Sequence, residues 1–258
     1  STPLYSSAAS DVYKRQTSSS IAHDLATANH ILAREAVVDS YGHVSLRDPQ
    51  RPDHFWLSAS VSPEQVRAED VLLFGPDSQP VEPTGRALYS ERVIHSAIFR
   101  ARPDIHAVVH GHAEETVPFS VTDVPLRPVL HVAGIIGRNI PVWDMRQRFG
   151  DTDLLVTESE QADDLARTLG DGRVVLMRGH GFTVAAESLE LAVRTAVYLK
   201  INARILLQAL QLGGRVTPLT DGEIDAVNAR MGSPRATRRV WDNWQRRSAS
   251  GAEGGGVQ

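Results

Sequence analysis

Between Tyr89 and His112 the chain reads YSERVIHSAIFRARPDIHAVVHGH. Ser90 is placed to cap a helix across Glu91–Arg100, which stops where Arg102-Pro103 disfavours another helical turn. The pattern then changes. His106–His112 is strand-like, with Ile105 to Val109 apolar. Side chains two apart on a strand project from one face, so His110 and His112 can reach a single ion. Gly111 leaves the opposite face open for close packing. Histidines at this spacing also occur as unrelated surface or core residues. Here, however, the pair ends a core strand, where an unpartnered imidazole is costly and a metal would supply the partner.

Elements of both kinds alternate outward from this segment. Upstream, Ile21–Val37 has Ile21, Leu25, Ala28, Leu32 and Ala36 on one helical face. Short strand candidates follow at Gly42–Arg47, His54–Ser58 and Val71–Phe74, separated by turn formers such as Asp48-Pro49 and Gly75-Pro76-Asp77. Downstream, Val129–Ile136 and Ile140–Trp143 are expected to be short buried strands or their connections. Ser159–Leu169 reads as an amphipathic helix, Val174–Met177 and Phe182–Ala185 as strands, and Ser188–Leu212 as a long helix ended by Gly213-Gly214. A last stretch, Asp221 to Arg247, looks helical and basic, with Trp241 and Trp244 as packing anchors. Without repeats or low-complexity blocks, this alternation predicts a layered α/β domain.

Residues 1–20 are Ser-rich and aperiodic, and are expected to be a disordered or extraneous segment. The domain is expected over 21–247, followed by a flexible Gly- and Ser-rich tail over 248–258.

At 258 residues the chain can bury one large core, and its 41% apolar and 22% charged content is that of an ordinary globular protein. The formal charge of -4 gives no bulk attraction for nucleic acid or an anionic membrane. No apolar run approaches the roughly 20 residues of a membrane span, and no secretory block is evident, so the expected location is the cytoplasm. The chain has no cysteine, which excludes disulfides, thiolate metal sites and cysteine nucleophiles. Any metal must be held by nitrogen and oxygen.

Arg178-Gly179-His180-Gly181 follows the apolar strand Val174–Met177. Flanking glycines allow close backbone approach, so His180 is either a third ligand or a residue of an ordinary Gly turn. Three imidazoles at the ends of core strands would leave an open position, as a catalytic divalent cation requires. Glu91, at the start of a helix, is favoured as a carboxylate by the helix dipole; it could be a general base, a fourth ligand, or a capping residue with no further role.

Taken together, YSERVIHSAIFRARPDIHAVVHGH, RGHGFTVAAESLELAV (Arg178–Val193) and YGHVSLR (Tyr41–Arg47) resemble three segments of the class II aldolase/adducin family. The likeness runs from about Ile21 to Gly214, with the motifs in family order. It implies a three-layer α/β/α sandwich, commonly a homotetramer with active sites at subunit interfaces. It also implies one divalent cation (manganese, zinc or magnesium, with ferrous iron open) on His110, His112 and His180, and Glu91 as the acid/base residue. Sugar-phosphate aldolases of the family cradle phosphate with small donors, where this chain has Gly42-His43, Ser58-Ala59-Ser60 and Tyr89-Ser90. That bulk argues against a phosphate cradle.

GHVSLR, PLRPVLHVAG (Pro125–Gly134) and VVLMRGHG (Val174–Gly181) instead resemble the decarboxylase branch, as do Tyr198 and Asn202. That branch acts on ortho-hydroxy aromatic or pyridine dicarboxylates and on carboxy-hydroxymuconic semialdehydes. The expected partner is thus a small carboxylated molecule. Its contacts are nominated at His43, Ser58, Ser60, Arg178 and Tyr198, with His131 as proton donor after carbon dioxide leaves. Competing roles are a structural salt bridge for Arg178, a core histidine for His131 and helix packing for Tyr198. Three other activities remain open: an aldolase on a non-phosphorylated substrate, a non-haem iron oxygenase, and a non-catalytic adducin-like scaffold.

Overall fold

Ile21, Leu25, Ala28 and Leu32 are buried along one side of a helix, α1 (Ser18–Arg34), in the computed structural model, which describes residues 18–231 and 233–252. Seven strands follow, β1 (His43–Arg47), β2 (Phe55–Ser58), β3 (Val71–Phe74), β4 (Ala107–Gly111), β5 (Val142–Trp143), β6 (Val174–Met177) and β7 (Gly181–Ala186). They form one sheet in the order β3-β2-β1-β4-β7-β6-β5, parallel only at the β5–β6 edge. The remaining long helices are α2 (Val93–Ala101), α3 (Ser159–Leu169), α4 (Leu189–Gln211), α5 (Asp221–Met231) and α6 (Pro234–Ala252).

The strand period of two sorts side chains into two cores. Val44, Leu46, Ala107, Val109, Leu176, Phe182 and Val184 pack with α1, α4 and the Trp241 and Trp244 anchors of α6. Val108, Val175, Met177 and Ala185 pack on the other face with Val93, Ala97 and Ile98 of α2 and Ala162 and Leu165 of α3. Helices therefore cover both faces of a mixed sheet, as the expected α/β/α sandwich requires. Ser188 caps α4 by accepting from the Leu191 N–H, and Gly213 just past its end has φ +73°. No described helix is long and apolar enough to cross a membrane.

Several boundaries depart from expectation. Residues 1–17 and 253–258 lie outside the described residues, but Ser18–Ser20 form the first turn of α1, and α6 continues through the start of the expected tail to Ala252. At its other end α1 stops at Arg34 rather than Val37, because Ala36 adopts φ +52°. Ser90 is not a helix cap: Ser90–Arg92 make a 3-10 turn in which Glu91 has φ -87° and ψ 15°, and α2 begins only at Val93. Of the two readings open for Val129–Ile136, a strand or a connection, the structure gives the connection, with His131–Ile136 a 3-10 helix. Asn202 anchors its start, since its Oδ1 accepts from Val129 N and Leu130 N at 2.8 and 3.3 Å and its Nδ2 donates to Arg127 O. Backbone groups already satisfied by a buried side chain need no neighbouring strand.

Candidate metal centre

His110, on β4, faces the α2 side of the sheet, and His112 lies one residue past the strand end. The β6–β7 turn brings His180 to the same place. This approach depends on glycine: a Cβ at Gly181 would lie 2.2 Å from Gly111 O, and Gly179 has φ +66°. Glu91 completes the group from the 3-10 turn before α2. Ligand atoms of Glu91, His110, His112 and His180 lie within 4.8 Å of one another. Nε2 of His112 is 3.0 Å from that of His110 and 3.1 Å from that of His180. Glu91 Oε2 stands 3.4 Å from His110 Nε2 and 3.5 Å from His180 Nε2.

The other ring nitrogens fix the tautomers. His110 Nδ1 contacts Phe182 O at 3.1 Å, His180 Nδ1 contacts Leu154 O at 2.9 Å, and His112 Nδ1 contacts Asp39 Oδ1 at 2.9 Å. Carbonyl and carboxylate oxygens only accept, so each Nδ1 carries the proton and each Nε2 presents a bare lone pair. Three lone pairs facing one another repel unless a cation lies among them. Their separations approach the ~3.3 Å edge of a tetrahedron with metal–nitrogen bonds of about 2.0–2.1 Å, so the residues fit a divalent ion. Leu154, whose carbonyl orients His180, has φ +67°, a conformation that β-carbon sterics disfavour for leucine.

Glu91 is 6% exposed, and its Oε1 accepts from Val156 N at 2.9 Å. Burial alone would raise its pKa, but protonated His110 and His180 rings hold it well below the usual carboxylate range, a positive charge that a bound cation would supply once those nitrogens are bare. Burial pushes His110 below the ordinary histidine value, which suits a neutral ligand. His112 and His180 keep side-chain exposures of 16% and 10%, so the cluster opens to solvent on their side.

The nominated substrate residues fare unequally. His43 is beside the cluster: it pairs with His110 in the β1–β4 register, with ring centroids 5.1 Å apart, but it is fully buried. Ser58 is buried next to the Tyr89 hydroxyl without a well-formed hydrogen bond of its own. Ser60 is exposed and joins the surroundings through its backbone N–H to Ala87 O. Arg178 heads the His180 turn with its Nε on Asp144 Oδ1 at 2.6 Å, which is the competing salt bridge. Tyr198 packs against Trp244, ring centroids 6.3 Å apart, beside Arg194; helix packing is what the structure gives it. His131 is exposed at the first position of its 3-10 helix, which removes the core-histidine reading.

Sequence reasoning missed Asp39, His95 and Leu154. Asp39 carried no signal, being one acid in a turn before β1. His95, four residues after Glu91, offered a helical-face spacing. Leu154 acts through a backbone carbonyl, which side-chain identity does not report.

Residues 23–207 match the model of the Class II Aldolase and Adducin N-terminal domain. The chain is 33% identical over 244 residues to the decarboxylase tropJ of Talaromyces stipitatus, covering 86% of this chain and 91% of that protein. It is 29% identical over 232 residues to a 3,4-dihydroxyphthalate decarboxylase of Arthrobacter keyseri, covering 84% and 89%. The crystal structure of an aldolase II superfamily protein from Pseudomonas syringae superposes with a TM-score of 0.76 at 24% identity, covering 93% of this chain and 97% of that one. With its ligand cluster assembled by the strand ends of this fold, the chain belongs to the class II aldolase and adducin family.

Proposed function

We propose that this chain is a metal-dependent carbon–carbon lyase that decarboxylates an ortho-hydroxy aromatic or heteroaromatic dicarboxylate, or a carboxy-hydroxymuconic semialdehyde. The observation that carries the reading is the convergence of the His110, His112 and His180 Nε2 atoms beside the Glu91 carboxylate in a chain whose relatives include decarboxylases. A divalent cation held by His110, His112 and His180 would supply Lewis-acid stabilisation of the negative charge that develops when the bond to the carboxyl carbon breaks. Manganese, zinc and magnesium are the proposed ions, with ferrous iron as a fourth candidate; nitrogen and oxygen donors discriminate among them only weakly.

In this reading Glu91 Oε2, ionised at neutral pH, accepts the proton of the substrate hydroxyl and returns a proton once carbon dioxide has left. The carboxyl carbon departs without its bonding pair, the electrons remain on the ring carbon, and that carbon takes the proton. Arg178, anchored through Nε, offers its remaining N–H groups to a second substrate carboxylate. Ser60 and His131, both exposed, contribute across a subunit interface of a homotetramer. The ligand cluster argues against a non-catalytic scaffold.

The test is carbon dioxide release from a panel of ortho-hydroxy aromatic dicarboxylates, with manganese or zinc added and a chelator control. Metal-dependent release that vanishes in His112→Ala supports the proposal. No release from any member, with metal bound, would overturn it in favour of an aldolase or oxygenase.

A further inference from the structure

Behind the metal centre, three polar side chains lie in the core in single file. Ser45, on β1, projects to the same face of the sheet as His43, and its Oγ is 2.5 Å from His95 Nδ1. His95, on α2, reaches His43 with Nε2 to Nδ1 at 2.7 Å. His43 then stands between Tyr89 and His110, ring centroids 4.6 and 5.1 Å away. All three residues are essentially sealed from solvent, at 0%, 0% and 1% exposure. Neither the metal ligation nor the carboxylate shuttle uses Ser45 or His95.

The direction of this chain follows from counting protons. Among the described residues the Ser45 hydroxyl has His95 Nδ1 as its hydrogen-bond partner and no other. A buried O–H without an acceptor is costly, so it donates to Nδ1. Nδ1 is then bare, and a neutral His95 carries its proton on Nε2 and donates it to His43 Nδ1. A neutral His43, in turn, must carry its proton on its own Nε2, at the ring edge turned away from His95. Neutrality follows from the same count: an imidazolium has no bare nitrogen, so a ring that accepts on Nδ1 cannot carry a charge.

We propose that Ser45 and His95 are positioning residues that lock His43 as a neutral Nε2–H donor beside the metal centre, where it binds a carboxylate oxygen of the substrate. The role deepens the decarboxylase reading and, for the carboxylate, rests on it. A donor of fixed tautomer recognises an anion without bringing a competing positive charge next to the metal ligands. It also explains why the buried hydroxyl of Ser45 points at a ring rather than at the backbone.

The relay has a readout independent of turnover. Zinc-loaded full-length protein carrying ring-15N histidine is expected to show His43 and His95 each protonated on Nε2, with resonances assigned from His43→Gln and His95→Gln. In Ser45→Ala the single tautomer at His43 is lost, KM for the decarboxylated substrate rises about tenfold, and zinc content and kcat change far less. Ser45→Thr, which keeps the hydroxyl, restores both. Nδ1-protonated His43 in the wild-type spectrum overturns the relay even where Ser45→Ala fails to fold. An unchanged KM in a folded Ser45→Ala overturns its positioning role. If no carboxylate in the panel is decarboxylated, the decarboxylase reading falls while the spectrum still decides the tautomer.

Discussion

On the side of the sheet facing α1 and α4, β1, β4 and β7 present Val44, Leu46, Ala107, Val109, Phe182 and Val184. On the side facing α2, the same strands present His43, Ser45, His110 and Thr183 alongside Val108 and Ala185. Both sides are buried, and they alternate residue by residue. One side is a continuous apolar layer. The other interrupts its layer with polar groups that each require a partner, and those partners, Glu91 and His95, come from α2 and the turn before it. The contrast separates what stabilises the domain from what makes it chemically competent, because burying a polar group is tolerated only where another group or an ion satisfies it.

Substitutions on the two sides should therefore have different signatures. The largest effect is expected from His112→Ala, which removes a ligand: metal content measured by atomic emission should collapse, and turnover should fall about a thousandfold or more. Glu91→Gln keeps the shape but removes the base, so kcat should drop by about 10²–10³-fold with metal retained; parallel loss of metal would make Glu91 a ligand instead. On the apolar side, Leu176→Ala should cost about 2–5 kcal/mol of stability in denaturant titrations, yet leave metal content per folded molecule unchanged. Asp39→Asn weakens the hydrogen bond that orients His112, along with those from the Tyr41 and Gly42 N–H groups, and is expected to lower metal affinity by about 10–100-fold in competition with a chelator.

The smallest effect is a pH dependence far from the centre. Burial, aided by the Arg47 cation, lowers the pKa of His106. A base whose folded pKa is depressed loses stability as pH falls, because below about 6.5 the unfolded chain takes up a proton that the folded chain does not. Thermal melts should show a decline below that pH, to which buried His43, His95 and His110 also contribute, and its slope should be slightly shallower in His106→Gln. A decline of equal slope in the variant would assign the acid sensitivity to other groups.

Much of the apolar framework was legible in the residue pattern, because burial imposes a period that survives in one dimension. Helix α3 and strands β3 and β6 fall on the expected residues, and α4 within one residue at either end. The pattern was less informative where a side chain replaced a ladder. Val129–Ile136 could be read as a strand or a connection, and the contacts that hold it as a connection include Asn202, more than 70 residues away, which accepts from Val129 N and Leu130 N. Ser90 looked like a cap for a similar reason: local sequence identifies a residue able to cap, not the backbone angle at Glu91 that delays the helix.

That three histidines and Glu91 could gather at strand ends was readable directly, since absence of cysteine limits the donors and strand spacing puts His110 and His112 on one face. The approach of His180, the tautomers set by Phe182, Leu154 and Asp39, and the file of Ser45, His95 and His43 were decided only by the tertiary structure. Each depends on atoms distant in the chain coming within hydrogen-bond distance, and such contacts leave no period in sequence. Tyr198, nominated as a substrate contact, and His131, nominated as a proton donor, show the converse: a matching residue type does not place a side chain, because where it points is set by the packing around it.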